Sequence, residues 1–403
     1  MVGNALFISD ENVAHPVLRS QGLPLLRNLS RQGLHCTVVS FEDSSARGDA
    51  GESKKNVLEE AIAGVTVRKV DINPSTLLPS WLLRIVKGAL ACFSLVRRGR
   101  IDIVHARSFS PAIIAEALKR RSRLHPKMIY DFRGVFIDEQ VYLGHWKETS
   151  WKVKAARRAE RNGLDRADRV VVVSNALKAH LETMYGSKVR NLSQKIRVIP
   201  NKTVIPPLRE TEPKRGERKN HFVGIYSGSA AGWQSSPELF EFFRVASGSA
   251  ESFQFRIFTY EDQARFDAYR RGHPESAGSL EVLRLSPEEV ASKLSDADFG
   301  LLLRDRHLVN EVASPLKFAE YLAAGIPVVV SEGIGDTEGI IDTYHVGVVV
   351  RGREYGSALQ HLTELLRDAT LRQRCRETAL KEFNINDAIN SYSAIYEELL
   401  KKE

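Results

Sequence analysis

Short apolar, β-branched runs recur along the chain, separated by longer stretches whose apolar residues repeat every three or four positions. This alternation of β and α periods predicts parallel α/β units. In the first half the strand candidates are ALFIS (5–9), CTVVSF (36–41), VTVRKV (65–70), IDIVHA (101–106), MIYDF (128–132), RVVVVS (169–174) and IRVIPN (196–201). Several are apolar at successive positions, as strands buried between two helical layers must be. Helical periods fill the gaps, among them PVLRSQGLPLLRNLSRQG from Pro16 and NALKAHLETMYG from Asn175. Residues 202–220, with three prolines, many charges and no apolar period, break the rhythm and read as a linker. SSARGDAGESKKN (44–56) reads as a mobile loop. The alternation resumes with VGIYSG (223–228), FRIFT (255–259), LEVLRL (280–285), DFGLLLR (298–304), IPVVVS (326–331) and VGVVV (346–350), and from about Tyr355 only helical periods remain. The pattern predicts two doubly wound α/β domains, 1–205 and 206–384, as a chain of 403 residues requires more than one core.

Composition narrows this little: 43% apolar and 27% charged residues are ordinary for a soluble protein. Three distant cysteines, Cys36, Cys92 and Cys375, argue for reduced thiols in a cytoplasmic setting and against a disulfide framework. The start MVGNALFISD lacks the pattern of a signal peptide, and no window reads as a membrane span. The net charge of +8 fits an anionic partner, with basic runs at 96–100, 120–127 and 151–161.

Chemistry enters at EVASPLKFAEYLAAGIPVVVS (311–331). Ser314 and Pro315 read as N-cap and first helical residue, and Gly325 and Pro327 as the stop, predicting a helix from Pro315 to Ala324. Lys317 then sits in the first turn, where partial positive charge and free N–H groups disfavour a cation and favour an anion such as phosphate. Arg304 closes the preceding strand, and ligands of open parallel sheets bind outside the strands' carboxyl ends. Glu320 shares Lys317's helix face. Cations suit a diphosphate and a carboxylate suits ribose hydroxyls; the competing reading is an internal Lys317–Glu320 ion pair. A second Gly/Ser/Ala loop in YSGSAAGWQSSPELFEFF (226–243) brings Gly228 and Gly232 between strand and helix, where backbone N–H groups can approach an anion. Alone it is a weak signal.

SPLKFAEYLAAGIPVVVS (314–331) resembles the nucleotide-sugar signature of retaining GT-B glycosyltransferases, in particular family 4. DIVHARS (102–108), YDFRG (130–134), ADRVVVVSNALK (167–178), VIPN (198–201) and YSGS (226–229) agree in order and spacing. The resemblance covers nearly the whole chain and is loose before residue 100. It implies a GT-B fold, two Rossmann-like doubly wound domains facing across a cleft. The second domain would hold a nucleotide-sugar donor, and the terminal helix, 385–403, would cross back to the first. Glu320 matches the glutamate that grips the ribose; Lys317, Arg304 and the Gly228–Ser229 loop match the pyrophosphate site. Ser314, Pro315 and Leu316 complete the donor-binding set. One position departs: where many members carry a second glutamate, eight residues before Glu320, stands Val312, with Glu311 one residue off.

On the acceptor side, YDFRGVFIDEQ (130–140) gathers Asp131, Arg133, Asp138 and Glu139 behind a strand. Asp131 or Glu139 could orient an acceptor hydroxyl and Arg133 could meet a phosphate; the competing reading is a buried salt-bridge cluster. His15, with Arg19 and Ser20, either lines the cleft or packs locally, and His105 reads as a core histidine. LLPSWLLRIVKGALACFSLVRRGR (77–100) is either an interfacial helix on an anionic inner membrane or an internal helix packed on the sheet. The basic run 151–161 suits the former, or is a solvated face.

The expected activity is retaining, metal-independent transfer of a hexosyl- or N-acetylhexosaminyl-type sugar from a UDP- or GDP-type donor to a growing glycan or lipid-linked acceptor. The setting would be bacterial surface polysaccharide synthesis in the cytoplasm, or at the cytoplasmic face of the inner membrane. With the leaving phosphate taking the acceptor proton, Arg304 and Lys317 become catalytic as well as binding, and Asp131 is the third catalytic candidate. No cofactor beyond the donor substrate and no nucleic-acid partner is expected, since acids balance the basic residues locally. The alternatives are a sugar-nucleotide epimerase or hydrolase of the same fold and, more remotely, a basic nucleic-acid-binding protein.

Overall fold

The computed structural model describes residues 1–42, 64–71, 80–121, 125–206, 221–228, 237–259, 264–274, 279–285 and 287–401. The loop at 44–56, residues 207–220 of the expected linker, Ser229 and Gly232 lie outside the described residues. The chain divides into two compact units, Met1–Pro200 with Asn386–Glu403, and Asn201–Ile385.

The first unit is built on a parallel sheet of order β3-β2-β1-β4-β5-β6-β7: β1 (Gly3–Ser9), β2 (Leu34–Glu42), β3 (Thr66–Asp71), β4 (Ile103–Arg107), β5 (Lys127–Phe132), β6 (Arg169–Val172) and β7 (Ile196–Val198). Its helices are α1 (Leu23–Arg31), α2 (Ser80–Arg98), α3 (Phe109–Arg121), α4 (Phe136–Tyr142), α5 (Trp151–Arg166), α6 (Asn175–Tyr185) and α7 (Leu192–Lys195). The second unit's sheet has order β10-β9-β8-β11-β12-β13: β8 (His221–Ser227), β9 (Ser252–Phe258), β10 (Leu280–Leu283), β11 (Phe299–Leu302), β12 (Val328–Ser331) and β13 (Gly347–Val350). Around it lie α8 (Pro237–Ser247), α9 (Ala264–Gly272), α10 (Pro287–Leu294), α11 (Leu308–Glu311), α12 (Leu316–Ala323), α13 (Thr337–Tyr344), α14 (Tyr355–Leu366) and α15 (Leu371–Glu382). The last helix, α16 (Ile385–Leu400), packs in the first unit's core through Ala388, Tyr392, Ile395, Tyr396 and Leu399.

Each apolar run of the sequence forms a strand, and alternation along it sorts the layers. In β5, Ile129 joins the cluster containing α1 and α16, while its neighbour Tyr130 lies against Gly163 of α5. The stretch from Pro16, expected as one helix, opens instead with a π-turn over Leu18–Gly22 before α1 begins. Pro24 has no N–H to return to the carbonyl one turn back, so the regular ladder cannot run through it.

Helix α2 buries Leu83, Cys92 and Val96, as the internal-helix reading expects, and exposes Val86 and Leu90. Among the described residues no helix is long and apolar enough to cross a membrane. All three cysteines are free and buried.

Both sheets reverse their strand order at the centre. β1 lies between β2 and β4, and β8 between β9 and β11, so the connections leave on opposite sides. Such a reversal opens a crevice at the strands' carboxyl ends.

Candidate functional site

In the second unit the chain leaves β11 through Leu303 and Arg304. The Arg304 N–H donates to Ser331 Oγ at the end of β12 (2.9 Å), tying two strand ends together. Its guanidinium donates to Asn310 Oδ1 at 3.4 Å, and Asn310, fully buried, donates from Nδ2 to the Asp305 carbonyl at 3.0 Å. Among the described residues no carboxylate pairs with Arg304. Burial lowers its pKa, opposed by the nearby Tyr226 and Tyr321 hydroxyls. Arg304 is partly buried, and a cation drawn out of water without a counter-charge is costly; an anion bound there would offset that cost.

Helix α12 is seated by Tyr321, whose ring lies on β11. A Cβ at Gly300 would stand 2.3 Å from that ring, so this strand position requires glycine. The Tyr321 hydroxyl accepts from Ser227 N–H at 2.9 Å, at the end of β8, and burial pushes its pKa far up. Beside it, Gly228 N–H donates to the Phe258 carbonyl at 3.0 Å, holding the first residue of the expected anion loop.

On the face of α12, Lys317 Nζ stands 2.9 Å from Glu320 Oε2, with side chains 31% and 26% exposed. The internal ion pair offered as the competing reading is therefore formed, and both partners remain partly open to solvent.

The helix cap is Pro315 rather than Ser314, and it makes no side-chain capping bond. Ser314 Oγ accepts from the backbone N–H of Asn201 (3.0 Å), and its carbonyl accepts from Asn201 Nδ2 (2.6 Å). Asn201 lies beyond the end of β7, where no strand neighbour meets its N–H, so the serine oxygen satisfies it.

The loop before α12 is fixed by Gly335 (φ +48°), whose N–H donates to the Asn310 carbonyl at 3.2 Å and which has no room for a Cβ beside the Ala313 oxygen. Val312, at the position of the missing glutamate, is 3% exposed and fills the interior. Glu311 points outward, with Oε1 3.3 Å from Arg306 Nε. An Asp-x-Asp spacing that the sequence reading passed over, Asp296 and Asp298, lies at the opposite end of β11. There Asp298 accepts the Val223 N–H at 2.7 Å and Asp296 pairs with Lys293 at 3.7 Å.

In the first unit the strand ends carry a different cluster. Asp131, expected to orient an acceptor hydroxyl, is 1% exposed. Its carboxylate lies 3.3 Å from both Arg107 and Arg133, and 3.5 Å from His105 Nε2. Burial alone would raise its pKa; Arg133, the His105 hydrogen bond and Arg107 together hold it well below the ordinary carboxylate range. The buried salt-bridge reading is thus the one the structure forms. His105 is a core histidine, its Nδ1 2.9 Å from the Tyr396 hydroxyl, and burial lowers its pKa. Arg133 also donates to the Tyr392 hydroxyl at 3.3 Å.

Glu11, which the sequence reading missed, accepts from Ser9 Oγ at 2.5 Å and lies 3.4 Å from Arg107 Nε. The rule that singled out Arg304, a cation closing a strand, would have found Arg107 as well.

The remaining acceptor candidates divide. Asp138 pairs with Arg157 at 2.5 Å. Glu139, half-buried with its carboxylate beside Gly134, has its pKa pushed up to about 7 by burial and by Asp138. His15 is exposed, its Nδ1 accepting from the Val17 N–H at 3.3 Å, and Arg19 follows in the same turn with its N–H on the His15 carbonyl at 3.0 Å.

Residues 23–202 match the family model Glycosyltransferase Family 4, and residues 246–373 match that of Glucosyltransferase 3-like, C-terminal domain. Among solved structures, sucrose-phosphate synthase from Thermosynechococcus elongatus superposes with a TM-score of 0.73 at 15% identity, over 98% of this chain and 99% of that one. HepE of Anabaena, in complex with UDP and glucose, gives 0.67 at 12% identity over 98% and 100%. The lipopolysaccharide outer core galactosyltransferase WaaB gives 0.68 at 14% identity over 98% and 99%. No curated protein sequence matches the chain. The structural likenesses define a GT-B fold, and the family match extends through most of its first unit. The chain is a glycosyltransferase with the GT-B fold, similar to family 4 over residues 23–202.

Proposed function

We propose that the chain transfers a hexosyl- or N-acetylhexosaminyl-type sugar, with retention and without a metal ion, from a nucleoside diphosphate donor of UDP or GDP type. The acceptor is a growing glycan or lipid-linked sugar in bacterial surface polysaccharide synthesis. One observation carries this reading: Arg304 lies partly buried at a strand's carboxyl end, and among the described residues no carboxylate neutralises it. Lys317 lies in the first turn of α12, with Glu320 one turn further on the same face. The UDP and glucose held by HepE and the lipopolysaccharide substrate class of WaaB support the donor and acceptor classes.

In this reading the diphosphate takes Lys317 from its partner and leaves Glu320 for the ribose hydroxyls, while Arg304 meets the phosphates. The bond from the anomeric carbon to the phosphate oxygen breaks as the acceptor oxygen bonds on the same face. The acceptor proton passes to the departing phosphate oxygen, whose developing charge the two cations stabilise. Glu311 is the outward carboxylate nearest in sequence to the donor-sugar position, and Glu139 and His15 are the open groups for the acceptor.

Calorimetry with UDP, GDP, dTDP, CMP and ADP and their sugar conjugates tests the reading. Selective binding of one diphosphate, weakened at least tenfold in Lys317→Ala, is expected, since a charge-assisted contact contributes about 1.5–3 kcal/mol. Absence of any diphosphate binding would overturn it. Product analysis with and without acceptor separates transfer from epimerisation or hydrolysis. Turnover in EDTA and the anomeric configuration of the product test metal independence and retention.

A further inference from the structure

Helices α2, α3 and α5 pack side by side on one face of the first sheet, α2 against α3 and α3 against α5. By sequence they hold thirteen Lys and Arg against three Asp and Glu, a net charge of +10. The whole chain carries +8, so everything outside this layer is net acidic. Part of the charge is neutralised locally: Lys119 pairs with Asp168, Arg166 with Glu116 and Arg157 with Asp138. Arg97, Arg120, Arg121, Lys152, Lys154 and Arg158 are exposed and have no ion-pair partner among the described residues.

The same layer exposes apolar groups: Trp151 is 71% exposed, Leu90 67% and Val86 43%, three of the seven large apolar side chains exposed among the described residues. Trp151, Lys152 and Lys154 occupy the first turn of α5, which has no acidic residue, so two cations face the positive end of the helix dipole. An anionic surface offsets that repulsion. Charge alone would equally suit nucleic acid. Exposed Trp, Leu and Val between cations instead suit the boundary between headgroups and acyl chains, where an indole and aliphatic groups are buried while lysines reach phosphates.

We propose that the outer surface of α2, α3 and α5 docks the protein on an anionic lipid bilayer. The surface stands on its own charge and exposure; only its purpose, bringing the active site to lipid-linked acceptors, rests on the proposed function.

The test is co-sedimentation with vesicles of phosphatidylethanolamine and phosphatidylglycerol, with pure phosphatidylcholine as the neutral comparison. The wild type is expected to bind the anionic vesicles selectively, with a blue shift of Trp151 emission. At about fivefold per surface charge, Lys152→Gln/Lys154→Gln/Arg158→Gln should weaken partitioning roughly a hundredfold. Leu90→Ser/Trp151→Ser should weaken it several-fold and abolish the blue shift. Equal sedimentation with both vesicle types, no sedimentation, or variants that bind like wild type would each overturn the proposal. So would tighter binding to random duplex DNA than to vesicles at the same salt. Nucleotide binding by the same samples keeps the two readings separable, since its loss with vesicle binding intact breaks only the transferase mechanism.

Discussion

Arg107 and Arg304 occupy corresponding places, each at the carboxyl end of the strand next to its sheet's reversal. Arg107, 3% exposed, is neutralised by Asp131 at 3.3 Å and Glu11 at 3.4 Å. Arg304 is partly buried, and among the described residues its guanidinium meets the Asn310 amide oxygen, with the Tyr226 and Tyr321 hydroxyls nearby and no carboxylate. The first arrangement is complete within the protein and braces the fold. The second lacks a negative charge, which an anionic ligand would supply. Position at a strand end therefore nominates a residue for function, and its charge balance separates brace from binding site.

The largest effect that would break this contrast is on stability. Asp131→Ala leaves Arg107 and Arg133 buried without their shared anion and should cost about 3–5 kcal/mol in denaturant unfolding. A loss below about 1 kcal/mol would show that the cluster is not the brace described. Arg304→Met should do the reverse, leaving unfolding unchanged or improved, because it removes an uncompensated charge, while nucleoside diphosphate affinity falls more than tenfold. If unfolding suffers and binding does not, the two arginines have the same role.

Protonation sharpens the comparison next. Burial pushes Glu160 up from 4.5 to about 7, against the Tyr185 hydroxyl at 2.6 Å and Arg157 at 3.4 Å. The folded state then binds the extra proton, so stability should fall as pH rises from about 4.5 to about 7. One fully retained proton sets a slope of about 1.4 kcal/mol per pH unit. Glu160→Gln should flatten the decline; Asp10 and Glu139, both raised to about 7, account for what remains. Asp131 acts with the opposite sign: its pKa is depressed, so its contribution is complete at neutral pH and is lost only as pH falls below the ordinary carboxylate range. The smallest effect belongs to the half-exposed Lys317–Glu320 pair. A double-mutant cycle on unfolding should give about 0.5 kcal/mol or less, whereas the same cycle on nucleotide affinity should give more.

The strands were legible because a strand buried on both faces must be written in apolar residues, and nothing else in the chain looks like VVVS or FGLLL. Lys317, Glu320 and Arg304 were legible because helix ends and strand ends are local features. What escaped depends on distant partners. Ser314 turns from cap to acceptor because Asn201, 113 positions earlier, presents an N–H to it. Asp131 turns from open carboxylate to buried brace because His105 and Arg107 of the neighbouring strand β4 converge on it beside Arg133, two residues on. The basic runs at 96–100, 120–127 and 151–161 were legible one by one; that α2, α3 and α5 pack side by side and collect them in one layer was not.

The placement of α16 has a consequence for synthesis. The helix completes the first unit's core with Tyr392, Ile395 and Tyr396, yet it is made only after the whole second unit. While residues 201–385 are produced, at about 5–20 residues per second, the first unit must wait roughly 10–40 s with that face of its sheet uncovered. The second unit, contiguous in sequence, can finish folding in that interval, so of the two units the one begun first is completed second.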